Sequence, residues 1–243
     1  MIKFFRKIRQ NLLTENKISK YLIYAIGEII LVVIGILIAL GINNWNQKNQ
    51  TKREEIKILT ELKTALENDL KFMTINLRGH KFQIRELNVI KEQLTLENPT
   101  NDSLNYFFQS LLFTNSVDIT TAPFETLNSK GLDLISDDEL RNAIIFYYGQ
   151  SVKYYIDKDF FLDRNFTIEY CTQLFNTVAW KSNTRRNQII PNDLNSLKKD
   201  KVFLNLINTK IGETEYQNEN LKYVIKENRA LLKTINSVLT KLE

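Results

Sequence analysis

Hydrophobic and polar positions fall into three regimes along the chain. From Tyr21 to Ile42 the only charged residue is Glu28, and from Ile29 to Ile42 every residue is apolar or Gly. At ~1.5 Å per residue this stretch would run about 33 Å, enough for a hydrocarbon core of roughly 30 Å. Tyr21 and Tyr24 at one end and Trp45 at the other stand where interfacial aromatic anchors stand. The pattern predicts one transmembrane helix over 21–45.

The second regime is a pair of heptad tracts. No Pro occurs before Pro99 and no Gly between Gly41 and Gly79, so residues 50–97 read as one long helix, continuing the span. Its expected seam is Ile56, Leu59, Lys63, Leu66, Leu70, Met73, Leu77, His80, Ile84, Leu87, Lys91 and Leu94, alternating by three and four. A matching seam runs from Leu204 through Ile207, Ile211, Thr214, Asn218, Leu221, Ile225, Asn228, Leu232, Ile235 and Leu239 to Leu242. Similar lengths predict an antiparallel pair, which sets His80 opposite Asn218 as a polar core layer. Fixing register is the usual role of such a layer; pH sensing by the one histidine is the lesser reading.

Between the tracts the periodicity is shorter. Residues 102–131 predict short broken helices, with Gly131 as a helix end. Ser136-Asp137-Asp138-Glu139 reads as a capping box that starts a helix at 136, running to about 178. Residues 180–191 form the next break, Asn192 or Asp193 caps the element after it, and a final helix spans about 199–242. Little alternates with period two, so strands are not expected. The fold class is all-α: a single N-terminal transmembrane helix followed by an elongated antiparallel helical bundle or coiled coil. The domain boundaries are 1–20, 21–45 and 46–243.

Charge sharpens the topology. The net charge of +5 lies wholly in the first twenty residues, where Lys3, Arg6, Lys7, Arg9, Lys17 and Lys20 face only Glu15. Residues 2–13 place Ile2, Phe5, Ile8 and Leu12 at helical spacing among these charges, as a basic helix on an anionic leaflet does. The remainder is neutral, which argues against a nucleic-acid-binding domain. Positive flanks face the cytoplasm, so the N-terminus is expected inside and the C-terminal domain in the periplasm of a bacterial inner membrane. Ala39-Leu40-Gly41 mimics a signal-peptidase site, but the apolar run is too long for a cleaved signal, and a retained anchor is expected.

Arg9-Gln10-Asn11-Leu12-Leu13, Tyr24-Ala25-Ile26-Gly27-Glu28-Ile29, the run from Val32 to Leu40, and Ile42-Asn43-Asn44-Trp45-Asn46 together carry a resemblance. They resemble the opening of a family of uncharacterised single-span membrane proteins of Bacteroidota. Phe124-Glu125-Thr126-Leu127 and Gly131-Leu132 with Leu134-Ile135 match it more loosely. The resemblance implies an inner-membrane protein and brings no activity.

Candidate chemistry is sparse. One His, one Cys and seven scattered Gly exclude His-pair metal motifs, phosphate loops and Cys-His pairs at motif spacing. No catalytic, metal or cofactor residue is assigned, and an enzyme is not expected. Cys171 reads as a small buried apolar residue, and Asp157, Asp159 and Asp163 as a solvated helix face beside Lys158 and Arg164. Ten Phe and Tyr between Phe146 and Phe175 read mainly as core, with an aromatic-lined pocket as the minor reading. Glu28 is the intramembrane acid: it snorkels to the surface, contacts a partner, or serves a stator-like proton-coupled role. Gly35 and Ala39 form a small-residue face for helix packing. These features point to a membrane-anchored scaffold or interaction module, partnered by the bilayer and by itself or another membrane protein. The alternatives are a sensory module acting through a partner and a stator-like subunit.

Overall fold

A computed structural model describes residues 18–96, 104–113, 117–157, 164–181 and 188–242. The chain divides into two compact units, Met1–Glu54 and Glu55–Glu243. The basic segment 2–13, the side chains of Tyr21, Tyr24 and Asp157, and residues Lys158 to Asp163 lie outside the described part.

Helix α1, Ile18–Thr95, contributes to both units. Within the first unit it is long and apolar enough to cross a membrane, and none of its apolar window is buried by protein. Leu22, Ile29, Leu31, Ile36, Leu37 and Ile42 are each more than half exposed, and Trp45 is 67% exposed. A solvated apolar surface of that length calls for lipid or a partner.

The second unit is helical, as expected. After α1 come α2 (Leu104–Phe107) with a 3-10 turn (Phe108–Leu111), α3 (Ala122–Lys130) with a 3-10 turn (Leu132–Leu134), and α4 (Asp138–Phe146). Beyond them lie a π-helical turn (Tyr147–Val152), α5 (Lys153–Asp157), α6 (Arg164–Thr177), α7 (Leu194–Leu197) and α8 (Lys201–Leu242). Gly131 ends α3 at φ 104°, a conformation that favours glycine, and its N–H closes on the Leu127 carbonyl at 3.0 Å.

Three expectations are corrected. The helix predicted over 136–178 is not a regular α-helix: a π turn from Tyr147 to Val152 lies between α4 and α5. Its cap also lies one residue later. Asp137, not Ser136, accepts from the Leu140 N–H at 2.9 Å, because Ser136 is engaged elsewhere. The break at 180–191 contains two strands, β1 (Val178–Lys181) and β2 (Gln188–Pro191), paired antiparallel with Val178 opposite Pro191. Val178 and Ile189 are buried while Ala179 is exposed, a two-residue alternation too short to register in the sequence. Pro191 ends its strand, where no ladder donor is needed.

Helices α1 and α8 run antiparallel. Asn228 Nδ2 donates to the Leu66 carbonyl at 3.2 Å, and His80 Nδ1 lies 3.1 Å from Asn218 Oδ1, so one numbering rises as the other falls. On α1 the row Leu59, Leu66, Met73, His80, Leu87 and Leu94 is wholly buried. The companion row expected at Ile56, Lys63, Leu70, Leu77, Ile84 and Lys91 is only half-buried. Burial shifts instead to Glu55, Leu62, Asp69, Gln83 and Ile90, because α1 is covered on that side by the segment returning from α2 to α4.

Candidate functional site

The buried polar side chains of α1 are placed by a simple repeat. Glu55, Asp69 and Gln83 stand fourteen residues apart, two heptads, on a row otherwise filled by Leu62, Asn76 and Ile90. Each holds one point of the segment from 108 to 136. Glu55 Oε1 accepts the Ser136 N–H at 2.7 Å and its hydroxyl at 2.8 Å. Asp69 accepts the Thr120 N–H at 3.1 Å and its hydroxyl at 2.8 Å. Gln83 Nε2 donates to the carbonyls of Ser110 and Phe113 at 2.8 and 2.7 Å, and Ser110 Oγ donates to Glu86. The segment is therefore a strap laid antiparallel along α1 and fastened at three levels.

Beside the Asp69 fastening, the π turn packs two tyrosines into the core. Tyr147 and Tyr148 meet edge to face at 4.9 Å, and Tyr148 stacks on Phe124 at 4.7 Å. Asn228 donates to the Tyr147 hydroxyl at 3.2 Å. Burial pushes both phenols far above their ordinary pKa; the Asn228 hydrogen bond draws Tyr147 back in part, and nearby Asp69 raises both. Burial likewise raises Asp69, against the lowering hydrogen bonds from Thr120. Among the described residues, the buried Tyr148 hydroxyl, Ser151 Oγ and Asn228 Oδ1 have no hydrogen-bond partner. The wider π turn sets the Tyr148 and Ser151 hydroxyls in the core without an α-helical register.

Farther along the bundle lies a layer of buried polar groups. His80 and Asn218, expected opposite one another, are in contact at 3.1 Å, and both are buried. On the same face of α8, Lys210 Nζ pairs with Glu213 Oε2 at 3.3 Å, each side chain almost wholly buried. Thr214, Gln217 and Asn220 complete the layer. Cys171 is half-buried, and burial pushes its thiol up against the lowering influence of Lys210.

A cleft of about 260 Å³ opens between α6 and α8. Phe166, Tyr170, Val202 and Leu206 form its apolar walls, with Glu169 and Asn205 at its rim. The Tyr170 hydroxyl donates to the Leu111 carbonyl at 2.9 Å, fixing the ring as a floor. Of the described aromatic residues between Phe146 and Phe175, Phe166 and Tyr170 line this cleft and Tyr148 does not. Among the described residues no group of three or more His, Cys, Asp or Glu is placed to hold a metal. In the first unit, Glu28 is partly buried, and Gly35 and Ala39 are exposed with nothing within 4 Å of a Cβ built on Gly35.

The strap fastenings, the orphaned hydroxyls at the π turn and the Lys210–Glu213 pair were not anticipated. A sequence signal did exist for the first: three polar residues at two-heptad spacing beside an apolar row. Compared with curated proteins and with solved structures, the chain matches none. A family model described as "Family of unknown function (DUF6090)" matches residues 28–208, and the chain belongs to that family.

Proposed function

We propose that the protein is a membrane-anchored helical scaffold or interaction module, held by one N-terminal span with the second unit outside the cytoplasm. The observation that carries this reading is the apolar stretch of α1, none of whose window is buried by protein, beside a separately compact helical unit. The basic leader, six positive residues before the span, supports an N-terminus in the cytoplasm of a bacterial inner membrane. Exposed Phe72, Ile75 and Phe82 on α1 supply apolar contact area on the second unit. The resemblance of residues 8–46 to single-span proteins of Bacteroidota supports the same compartment. Cross-linking the full chain in native membranes, then mass spectrometry, should recover either a homo-oligomer or a defined membrane-protein partner. A monomer without cross-linked partners overturns the scaffold reading.

The cleft between α6 and α8 favours a second reading, a ligand-binding module that acts through a partner. Electron density for a co-purified small molecule against Phe166 and Tyr170 would select it over the first.

A further inference from the structure

The buried apolar side chains of the second unit form two clusters, and both long helices, α1 and α8, change cluster across a polar interval. On α1 the first cluster ends at Met73 and the second begins at Leu87; on α8 the second ends at Ile207 and the first begins at Leu221. The strap changes between Leu111 and Val117, and the chain from the π turn to α6 changes between Val152 and Tyr170. Between these limits on α1 and α8, the described residues that are buried are all polar: His80, Gln83, Lys210, Glu213, Thr214, Gln217, Asn218 and Asn220. Leu77, Ile84 and Ile211 enter the interval only half-buried, and of these Leu77 packs on the first cluster and Ile211 on the second. At ~1.5 Å per residue the interval is roughly 20 Å deep.

Cooperative unfolding tracks continuous apolar packing. Burial stabilises by about 25 cal/mol per Å², whereas an internal hydrogen bond contributes about 1 kcal/mol net. A buried ion pair is weak evidence for stability because desolvation opposes it. Each apolar cluster is thus held by a strong non-directional term, while the interval between them is held by individually modest polar contacts such as His80–Asn218 and Lys210–Glu213. Units divided in this way open separately, with their own opening free energies.

We propose that the polar interval is a built-in parting plane: the two apolar cores of the bundle open independently of one another, while α1 and α8 pass through uninterrupted and keep them joined. A partner or ligand engaging one core then changes its packing without unfolding the other, which supplies a two-state element for the interaction module proposed above.

Hydrogen exchange read by mass spectrometry on the full chain in detergent micelles, across a denaturant series, tests this. Helical amides of 58–73 and 221–239 should open at rates at least tenfold different from those of 87–94 and 203–207. Replacing the polar contact with apolar side chains (H80L with N218L) should join the clusters and bring the ratio below about threefold. A second pair, K210M with E213L, carries the same expectation and serves if the first fails to fold. One common opening for both sets of amides in the unaltered protein overturns the proposal, as does an undiminished ratio in a folded apolar variant.

Discussion

Glu55 and Ser136 are separated by most of three helices, yet one carboxylate oxygen of Glu55 takes both the N–H and the hydroxyl of Ser136, at 2.7 and 2.8 Å. The contact explains a local irregularity. Ser136 would be the natural cap of α4, but its hydroxyl is committed to α1, so Asp137 caps the helix instead. A residue whose sequence context promises local structure thus serves a long-range fastening.

Removing that fastening should cost unequally from its two sides. Glu55→Ala deprives two donors of their acceptor and should lower stability by about 1–3 kcal/mol; Ser136→Ala removes one donor and should cost about 1 kcal/mol. The double variant should cost less than the sum, a coupling that a double-mutant cycle in denaturant measures. Strict additivity would mean the two side chains do not act on each other.

Asp69 makes the analogous contact to Thr120 from a buried site, with a different pH signature. Burial holds its pKa above the ordinary 3.8, and the two Thr120 hydrogen bonds offset this only in part. A raised folded-state pKa means that the fold favours the protonated acid. The corresponding stability is fully present below pH 3.8 and is lost as pH rises through the folded-state value. Asp69→Asn cannot ionise, so its stability relative to the unaltered protein should rise with pH across that window and level off above it. Thermal unfolding from pH 3 to 8 reads the difference directly; a difference independent of pH would refute the assignment.

The two long heptad tracts were legible because their repeats persist over many turns, long enough for periodicity to outweigh chance, and their antiparallel register placed His80 against Asn218. Half of the expected α1 seam was misjudged: the row of Ile56, Lys63, Leu70, Leu77, Ile84 and Lys91 is only half-buried. Glu55, Asp69 and Gln83 look like surface positions when only one partner helix is imagined, and it is the strap that buries them. The paired strands escaped because four residues, Val178 to Lys181, weigh little against a preceding helical pattern. The π turn at Tyr147 left no mark at all: its sequence, YYGQSV, carries no helix-breaking signal, and both tyrosines are buried there.

Among the described residues, Lys210 and Glu213 are the ion pair most sheltered from water, at 3.3 Å with side chains 1% and 2% exposed. Breaking such a pair strands one charge in the interior. Lys210→Met and Glu213→Leu should each destabilise by about 3–5 kcal/mol, and the double replacement should cost far less than either alone. Equilibrium unfolding of the three variants decides the matter. Single replacements costing under about 0.5 kcal/mol would show that the pair is hydrated in solution.

In the first unit, Gly35 and Ala39 offer the sharpest test of association through the span. An added Cβ at Gly35 meets nothing within 4 Å in the isolated chain, so a larger residue there carries no internal clash. Any loss on substitution must therefore come from outside the chain. Without a hydrophobic drive between helices in lipid, close approach depends on small residues at the contact. Gly35→Ile with Ala39→Ile should leave membrane insertion intact, since both changes add apolar surface, while reducing disulfide cross-linking between single-cysteine probes placed from 30 to 42 by at least tenfold. Before substitution, cross-linking efficiency should rise and fall with a period near 3.6 residues and peak beside Gly35 and Ala39. Cross-linking that survives the bulky pair would move self-association out of the span, and Glu28→Gln in the same assay would then show whether the intramembrane acid contacts a different protein.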